Sequence, residues 1–214
     1  MSDRLQILTA SAEKLGLALS AEQCQTLLRY LDLILKWNKV YNLTAVRDPD
    51  EALTHHLIDS LAAVPPLQKH LATLASGARL LDVGSGGGLP GVVFAICCPE
   101  LSVSCVDTVG KKAAFVQQVA LELKLRNLSG VHARVESLTD TYEVVSSRAF
   151  ASLLDFTTWS QAALAEQGVW LAMKGKHPDA ELAALPATVD VFHVEPLSVP
   201  GLEAERCIVW MKRK

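Results

Sequence analysis

The chain has 214 residues, of which 50% are hydrophobic and 20% charged, a balance typical of a folded globular protein. This composition excludes disordered, collagen-like and disulfide-scaffold classes, and five cysteines without a CxxC pair indicate buried, reduced thiols. The net charge of −3, from 20 Lys+Arg against 23 Asp+Glu, leaves only a local basic patch as a possible contact to nucleic acid.

The first 75 residues are predicted to form a small helical region. The predicted helical segments are 12–19, 24–35 and one that begins at Asp48 and ends before Pro65. Ser20 and Gln23 have the spacing of a capping box. Asp48 is followed by a proline at the first helical position, which is typical of a helix start. No strand pattern interrupts this region, so we expect it to cap a second, larger domain at 76–214.

From residue 76 onward, apolar strand patterns alternate with helical ones. The predicted strands are 79–83, 101–106, 131–135, 143–146, 169–173, 189–194 and 207–211. The predicted helices are 90–98, 110–125, 153–165 and 179–185. This alternation predicts an α/β fold with a doubly wound, mostly parallel sheet, and the last two strands predict an antiparallel edge. A ligand is then expected at the carboxyl ends of the strands.

A glycine-rich segment, 81–91, lies where the first strand ends and a helix begins. Glycines at 86, 88 and 91 fit a dinucleotide-binding fingerprint, and Asp107 ends the next strand about 20 residues on, placed for ribose hydroxyls. The segment is also compatible with a simple connecting turn. However, Asp82 precedes the glycines, and this acidic GxGxG arrangement resembles motif I of class I S-adenosylmethionine-dependent methyltransferases. By this argument Gly86, Gly88 and Asp107 are predicted to bind the cofactor.

Further segments extend the resemblance over nearly the whole chain. They are WNKVYNLT at 37–44, HHLIDSL at 55–61, LDVGSGGGLPG at 81–91, DTVGKK at 107–112, SRAFA at 147–151, Lys174-Gly175 and Glu205-Arg206. In this order they are similar to the GidB (RsmG) family of bacterial small-subunit rRNA guanine-N7 methyltransferases. The resemblance implies a Rossmann-like class I methyltransferase fold, S-adenosyl-L-methionine as cofactor and 16S rRNA as substrate. The net charge of −3 favours a target presented within the small ribosomal subunit.

The resemblance also implies particular site residues. Gly84 and Leu89 in the glycine loop, Val135 and Glu136 after the third strand, and Arg148 at the end of the fourth would contact the cofactor. Arg148, together with Lys174 and Arg206, is a candidate for binding the substrate. No metal is implied.

The sequence after the fourth strand bears on the chemistry. Residues 146–150 contain neither the Pro-Pro loop typical of exocyclic-amine methylation nor a cysteine nucleophile. Guanine N7 presents an in-plane lone pair, so direct attack on the methyl carbon transfers no proton. We therefore predict in-line attack aligned by binding alone, without a catalytic acid, base or nucleophile.

Several other features have competing interpretations. His55, His56 and Asp59 share a helix face and could form a buried polar network, a contact to cofactor or RNA, or part of a metal site. Trp37 and Tyr41 indicate helix packing more than base stacking. A local basic patch could form from Lys36, Lys39, Arg47, Lys174, Lys176 and Arg206.

Two alternatives to this function stay open at this stage. One is a non-catalytic, NAD-type regulatory module, and the other is a methyltransferase with a different acceptor. The longest uncharged apolar run is far below the ~20 residues of a membrane span, and Asp3, Glu13 and Lys14 interrupt any signal-like core. We expect a cytoplasmic monomer with no membrane partner.

Overall fold

A computed structural model of the protein describes residues 3–46 and 48–214. Its α-helices are α1 Asp3–Lys14, α2 Ala21–Tyr41, α3 Pro49–Ala52, α4 Asp59–Leu61, α5 Val64–Leu71, α6 Gly91–Cys97, α7 Gly110–Glu122, α8 Leu153–Ser160 and α9 Asp179–Ala183. Its strands are β1 Arg79–Val83, β2 Ser102–Asp107, β3 Leu128–His132, β4 Tyr142–Arg148, β5 Leu164–Lys174, β6 Val189–Leu197 and β7 Arg206–Arg213. A π-helical segment, Leu53–Ile58, joins α3 to α4, and short 3-10 turns follow β3 and α8.

The seven strands form one sheet in the order β3-β2-β1-β4-β5-β7-β6. The first five run parallel, whereas β7 lies between β5 and β6 and pairs antiparallel with both. The predicted mostly parallel sheet with an antiparallel edge is therefore confirmed. The order reverses between β1 and β4, and a ligand crevice is expected at such a switch point.

Helices cover the sheet on both faces. Alternate side chains of the central strands explain this, because successive residues of a strand point to opposite faces. Leu80 and Val144 pack on the face shared by α1, α2, α6 and α7, whereas Leu81 and Val145 face α8. One continuous apolar core thus joins the N-terminal helices to one face of the sheet.

The capping signals are confirmed by the structure. The Ser20 hydroxyl accepts from Gln23 N–H and the Gln23 side chain accepts from Ser20 N–H at the start of α2. Asp48 caps α3 through the N–H groups of Asp50 and Glu51.

The third helix was predicted to end before Pro65, but a further helix, α5, begins at Val64 and has Pro65 in its first turn, where a missing N–H costs no hydrogen bond. Two other elements were misplaced. The helix predicted at 12–19 lies earlier, because Gly16 adopts a φ of +72° and Leu17 N–H closes a bond to Ala12 C=O that stops α1. The third strand was predicted at 131–135 but is β3, Leu128–His132; Val135 belongs to the 3-10 turn Val135–Ser137. Both errors moved an apolar residue into the wrong element because apolarity alone does not locate a turn.

Candidate active site

The loop after β1 turns sharply back over the end of β2. Gly84 N–H donates to Val106 C=O at 2.9 Å, and Gly88 N–H donates to Ser85 C=O at 2.8 Å. Gly84, Gly86 and Gly88 all have positive φ, between +58° and +89°, which side chains rarely tolerate. The glycines are therefore required by the backbone of this loop.

Asp107 at the end of β2 holds the same loop from the other side. Its carboxylate accepts from Gly86 N–H at 3.1 Å and from Val109 N–H at 2.8 Å, and Lys112 Nζ lies 3.8 Å away. The side chain is 7% exposed. Each carboxylate oxygen keeps a second lone pair, so the residue can still accept from a ligand hydroxyl.

Asp82, the acid ahead of the glycines, lies beneath the loop. It is fully buried and accepts from Gly91 N–H at 3.0 Å and from the Ser146 hydroxyl at 2.9 Å. Burial raises the pKa of Asp82 from 3.8 to about 7, against the smaller opposing effects of these hydrogen bonds and of Arg148. It ties β1 to β4 and to α6, and it lines neither of the cavities described next.

Two cavities open at the carboxyl ends of the central strands and share Gly84 and Ala149. The first, about 450 Å³, is lined by Leu43, Thr44, His55, Asp59, Gly84–Gly87, Leu89, Arg148, Ala149, Met173, Lys174, Gly175 and Arg206. The second, about 390 Å³, is lined by Val83, Gly84, Val106–Val109, Lys112, Ala133–Glu136, Ala149, Phe150 and Trp159. An elongated ligand lying across Gly84 could therefore occupy both.

The residues predicted to bind the cofactor divide between these cavities. Gly86, Leu89 and Arg148 line the first, and Asp107, Val135 and Glu136 the second, with Gly84 in both. Gly88 lines neither: a Cβ there would lie 2.5 Å from Val92 and 3.2 Å from the Tyr30 hydroxyl. Tyr30 itself is buried and donates to Gly87 C=O at 2.7 Å, so α2 supports the loop from below.

At the floor of the first cavity, Asp59 joins two arginines. Arg148 Nη1 donates to Asp59 Oδ2 at 2.8 Å and to His55 C=O at 3.0 Å. Arg206 Nε donates to Asp59 Oδ1 at 2.6 Å. The Asp59 side chain is only 4% exposed. Asp59 therefore belongs to a buried polar network that joins the helical region to the sheet, as one interpretation of this helix face predicted, whereas His55 lines the cavity.

His56 extends that network toward the loop after α2. Its Nε2 lies 2.7 Å from the Thr44 hydroxyl. Burial, and secondly the Arg148 guanidinium, lower the pKa of His56 from 6.5 to about 4. The ring is therefore neutral at physiological pH and adds no charge to the cavity.

Only part of the predicted basic patch is brought together: Lys174 and Arg206 both line the first cavity. Lys174 lines the first cavity but its ammonium is held by Glu181 at 2.8 Å and by Ala151 C=O at 2.9 Å. Lys36 and Lys39 line a separate hollow beside Asn42 and Pro49. Arg47 lies outside the described residues.

Some lining residues were not recognised from the sequence. Thr44 and Phe150 were only parts of longer motifs, and Trp159, whose ring centroid lies 5.8 Å from that of Phe150, carried no periodic signal. Trp37 and Tyr41, by contrast, stack on each other at 5.2 Å and pack against the core, as predicted.

Two kinds of feature are absent from residues 3–46 and 48–214. Within these ranges, no three His, Cys, Asp or Glu side chains group in a way that could hold a metal ion. Across the same ranges, no helix combines the length and apolarity that crossing a bilayer requires.

Comparison with known proteins points in one direction. The family model described as GidB, rRNA small subunit methyltransferase G, matches residues 23–209. A protein of Acidovorax ebreus (strain TPSY) named ribosomal RNA small subunit methyltransferase G is 68% identical over 211 residues, covering 96% of this chain and 93% of that protein.

Solved structures agree on the fold. The glycopeptide N-methyltransferase MtfA, complexed with S-adenosyl-L-methionine, is similar with a TM-score of 0.57 at 11% identity, covering 70% of this chain and 86% of that one. A SAM-dependent methyltransferase from Aquifex aeolicus has a TM-score of 0.53 at 15% identity, with coverage of 77% and 98%. The sheet and its helices therefore have the class I methyltransferase fold.

Proposed function

The chain belongs to the GidB family, rRNA small subunit methyltransferase G, and on that premise we propose that it methylates N7 of one guanine in 16S rRNA, using S-adenosyl-L-methionine. The single observation that carries the proposal is the pair of cavities that meet at Gly84, one beside Asp107 and one beside the buried arginine pair. The high-identity relatives do not favour the alternative of a non-catalytic NAD-type module.

The residues present fit this cofactor. At Gly86 and Gly87 a Cβ would meet only Leu43, at 3.9 and 3.7 Å, so side chains there would extend into the space the ligand needs. The adenosine end fits the second cavity, where Asp107 can accept from ribose hydroxyls and where Val135, Glu136 and Trp159 surround the base. The amino-acid end fits the glycine loop and Leu89 in the first cavity.

When bound, the cofactor supplies a methyl carbon that forms a bond to N7 while its bond to sulfur breaks, so the sulfonium charge passes to the base and no proton moves. The chain's own residues need only align the partners and exclude water. His56 bonds Thr44 and lines neither cavity. His55 does line the first cavity, but the proposed reaction gives it no proton to take.

The helical cap has a role in this proposal. Residues 1–75 contribute Leu43, Thr44, His55 and Asp59 to the acceptor side, whereas the cofactor is held by residues 76–214. We place the acceptor within the small ribosomal subunit, because a chain of net charge −3 gains less from bare phosphates than a basic protein does. An rRNA-modifying enzyme of this kind would act as a monomer in the cytoplasm.

A direct test compares rRNA from cells with and without the gene. Digestion and mass spectrometry should find one N7-methylguanosine of 16S rRNA missing in the deletion strain. Small subunits from that strain, incubated with the purified protein and methyl-labelled cofactor, should regain it. Unchanged N7-methylguanosine in the deletion strain would refute the proposal that 16S rRNA is the acceptor. Methyl transfer to extracted 16S rRNA at the same rate as to small subunits would refute the proposal that the assembled subunit is the acceptor.

A further inference from the structure

The proposed function leaves open how the acceptor base is recognised, and the buried Arg148–Asp59–Arg206 cluster addresses that question. Its three side chains come from different parts of the fold: the cap, the end of β4 and the start of β7. Both arginine side chains are mostly covered, at 18% and 24% exposed, yet both line the first cavity.

The topology places Arg206 on the acceptor side of the cleft. The glycine loop follows β1, and β7 is three strands away in the sheet order. At about 4.8 Å between neighbouring strands, the two lie roughly 14 Å apart along the sheet edge. Arg148, the last residue of β4, lies between them and closer to the proposed cofactor. A base placed against the methyl group would therefore meet Arg206 on its far side.

The remaining hydrogen-bonding capacity of Arg206 fits a guanine. Its Nε is committed to Asp59 and its Nη1 to Glu205 C=O, whereas its Nη2 has no partner among the residues that the structure describes. Arginine commonly donates to both O6 and N7 of guanine, but N7 must stay open for methylation. A hydrogen bond from Arg206 to O6 alone leaves N7 open. Adenine carries an amino donor at that place and would repel the guanidinium.

Asp59 acts through the arginines and not on the substrate. With both oxygens engaged at 2.6 and 2.8 Å, the carboxylate fixes two guanidinium planes at once. It also cancels one of two positive charges, which limits repulsion of the charge that the base acquires. Lys174 cannot replace either arginine, because Glu181 neutralises it.

From these contacts we propose that Arg206 reads O6 of the target guanine and that Asp59 is the positioning residue that orients it. The proposal rests on the proposed function. It is a statement about specificity: the first cavity distinguishes purines by the group at position 6.

The test uses small subunits reconstituted with 16S rRNA that carries guanosine, inosine or 2-aminopurine riboside at the methylated position. Inosine keeps O6 and N7, whereas 2-aminopurine keeps N7 and lacks O6. For the unaltered protein, the single-turnover rate with inosine should lie within about threefold of the rate with guanosine. The rate with 2-aminopurine should be about ten- to a hundredfold lower, because a hydrogen bond to a charged group is lost.

With guanosine subunits, the methylation rate of Arg206→Gln and of Asp59→Asn should fall by a similar factor. With 2-aminopurine subunits, where the hydrogen bond is already missing, both variants should be almost as fast as the unaltered protein. Arg29→Gln, at an exposed arginine that bonds only Glu122 C=O among the described residues, is the matched control and should behave as the unaltered protein. Binding of the guanosine and 2-aminopurine subunits in the presence of S-adenosylhomocysteine gives a second readout. There Arg206→Gln should weaken only the guanosine complex.

Three results would overturn the proposal. The first is an equal rate with guanosine and 2-aminopurine in the unaltered protein, and the second is an equal loss of rate on both acceptors in Arg206→Gln. The third is a loss of rate with guanosine that occurs in Arg206→Gln but not in a folded Asp59→Asn. If Asp59→Asn does not fold, the Arg206→Gln comparison still decides the reading of O6. Absence of N7-methylation of the guanosine subunits by the unaltered protein refutes the proposed function instead, so the two failures are distinguishable.

Discussion

The substitution Asp82→Asn separates two roles for the acid ahead of the glycines. In the structure its carboxylate is fully buried, is bonded by Gly91 and Ser146, and reaches neither cavity. Asparagine keeps an oxygen for Gly91 N–H and gains an amide that can donate to the Ser146 hydroxyl. We therefore expect the variant to fold and to bind S-adenosylhomocysteine with an affinity within about threefold of the unaltered protein.

The magnitude follows from the pKa of Asp82. The folded state holds this proton up to about pH 7, whereas the unfolded chain releases it near 3.8. The contribution of Asp82 to stability is thus fully present below pH 3.8 and lost as pH rises through 7, a fall of about 4 kcal/mol at most. Asparagine does not titrate. The free energy of unfolding of the variant, minus that of the unaltered protein, should rise across this window and then level off.

Urea unfolding between about pH 4 and pH 8, and calorimetric titration with S-adenosylhomocysteine at pH 8, measure the two quantities. Taking the difference between the proteins removes groups common to both, such as His56, whose lowered pKa destabilises the fold on acidification. A pH-independent difference would contradict the burial argument. A loss of affinity above about tenfold in a stably folded variant would instead show that the carboxylate acts on the cofactor.

Three further predictions concern the loop and the reaction. Gly84→Ala should abolish binding of S-adenosylhomocysteine, because its Cβ would lie 2.1 Å from the Phe150 ring; Gly77→Ala, with a similar positive φ but open space, is the control and should bind normally. Tyr30→Phe should lower the free energy of unfolding by about 1–3 kcal/mol, because it leaves Gly87 C=O without its hydrogen bond. Tyr41→Phe is the control and should change this free energy little, because the Tyr41 hydroxyl bonds no described residue. Equal losses in the two variants would contradict the prediction. The single-turnover rate should be flat between about pH 6 and pH 8, since the pKa of His56 is lowered to about 4 and no side chain is proposed to take a proton. Because the pKa of Asp82 is about 7, the profile is also measured in Asp82→Asn, and a step that persists there would reveal a general base.

The order and type of elements in the sheet domain could be predicted because strand and helix periods differ sharply there. The strand at 79–83 was predicted with its observed bounds, and the glycine loop was recognised because its glycines sit between a strand and a helix. The N-terminal helices were predicted less well. Gly16 stops α1, and the π-helical turn at Leu53–Ile58 has no distinct apolar period.

The candidate site was only partly predictable, for a physical reason. Residues that end neighbouring strands, such as Asp107 and Arg148, must meet at one edge of the sheet, and sequence position alone indicates this. Asp59 and Arg206 are 147 residues apart, and no pattern in the sequence indicates that they share a hydrogen bond. The ion pair of Lys174 with Glu181 is likewise a contact that only the fold reveals.

The most direct measurement of the account is a crystal structure with S-adenosylhomocysteine bound. We expect adenine beside Val135 and Trp159, ribose hydroxyls on Asp107, and the sulfur near Gly84 with the Arg148–Asp59–Arg206 cluster beyond it. Adenosine seated in any other part of the molecule, or a sulfur directed away from the arginine pair, would contradict it.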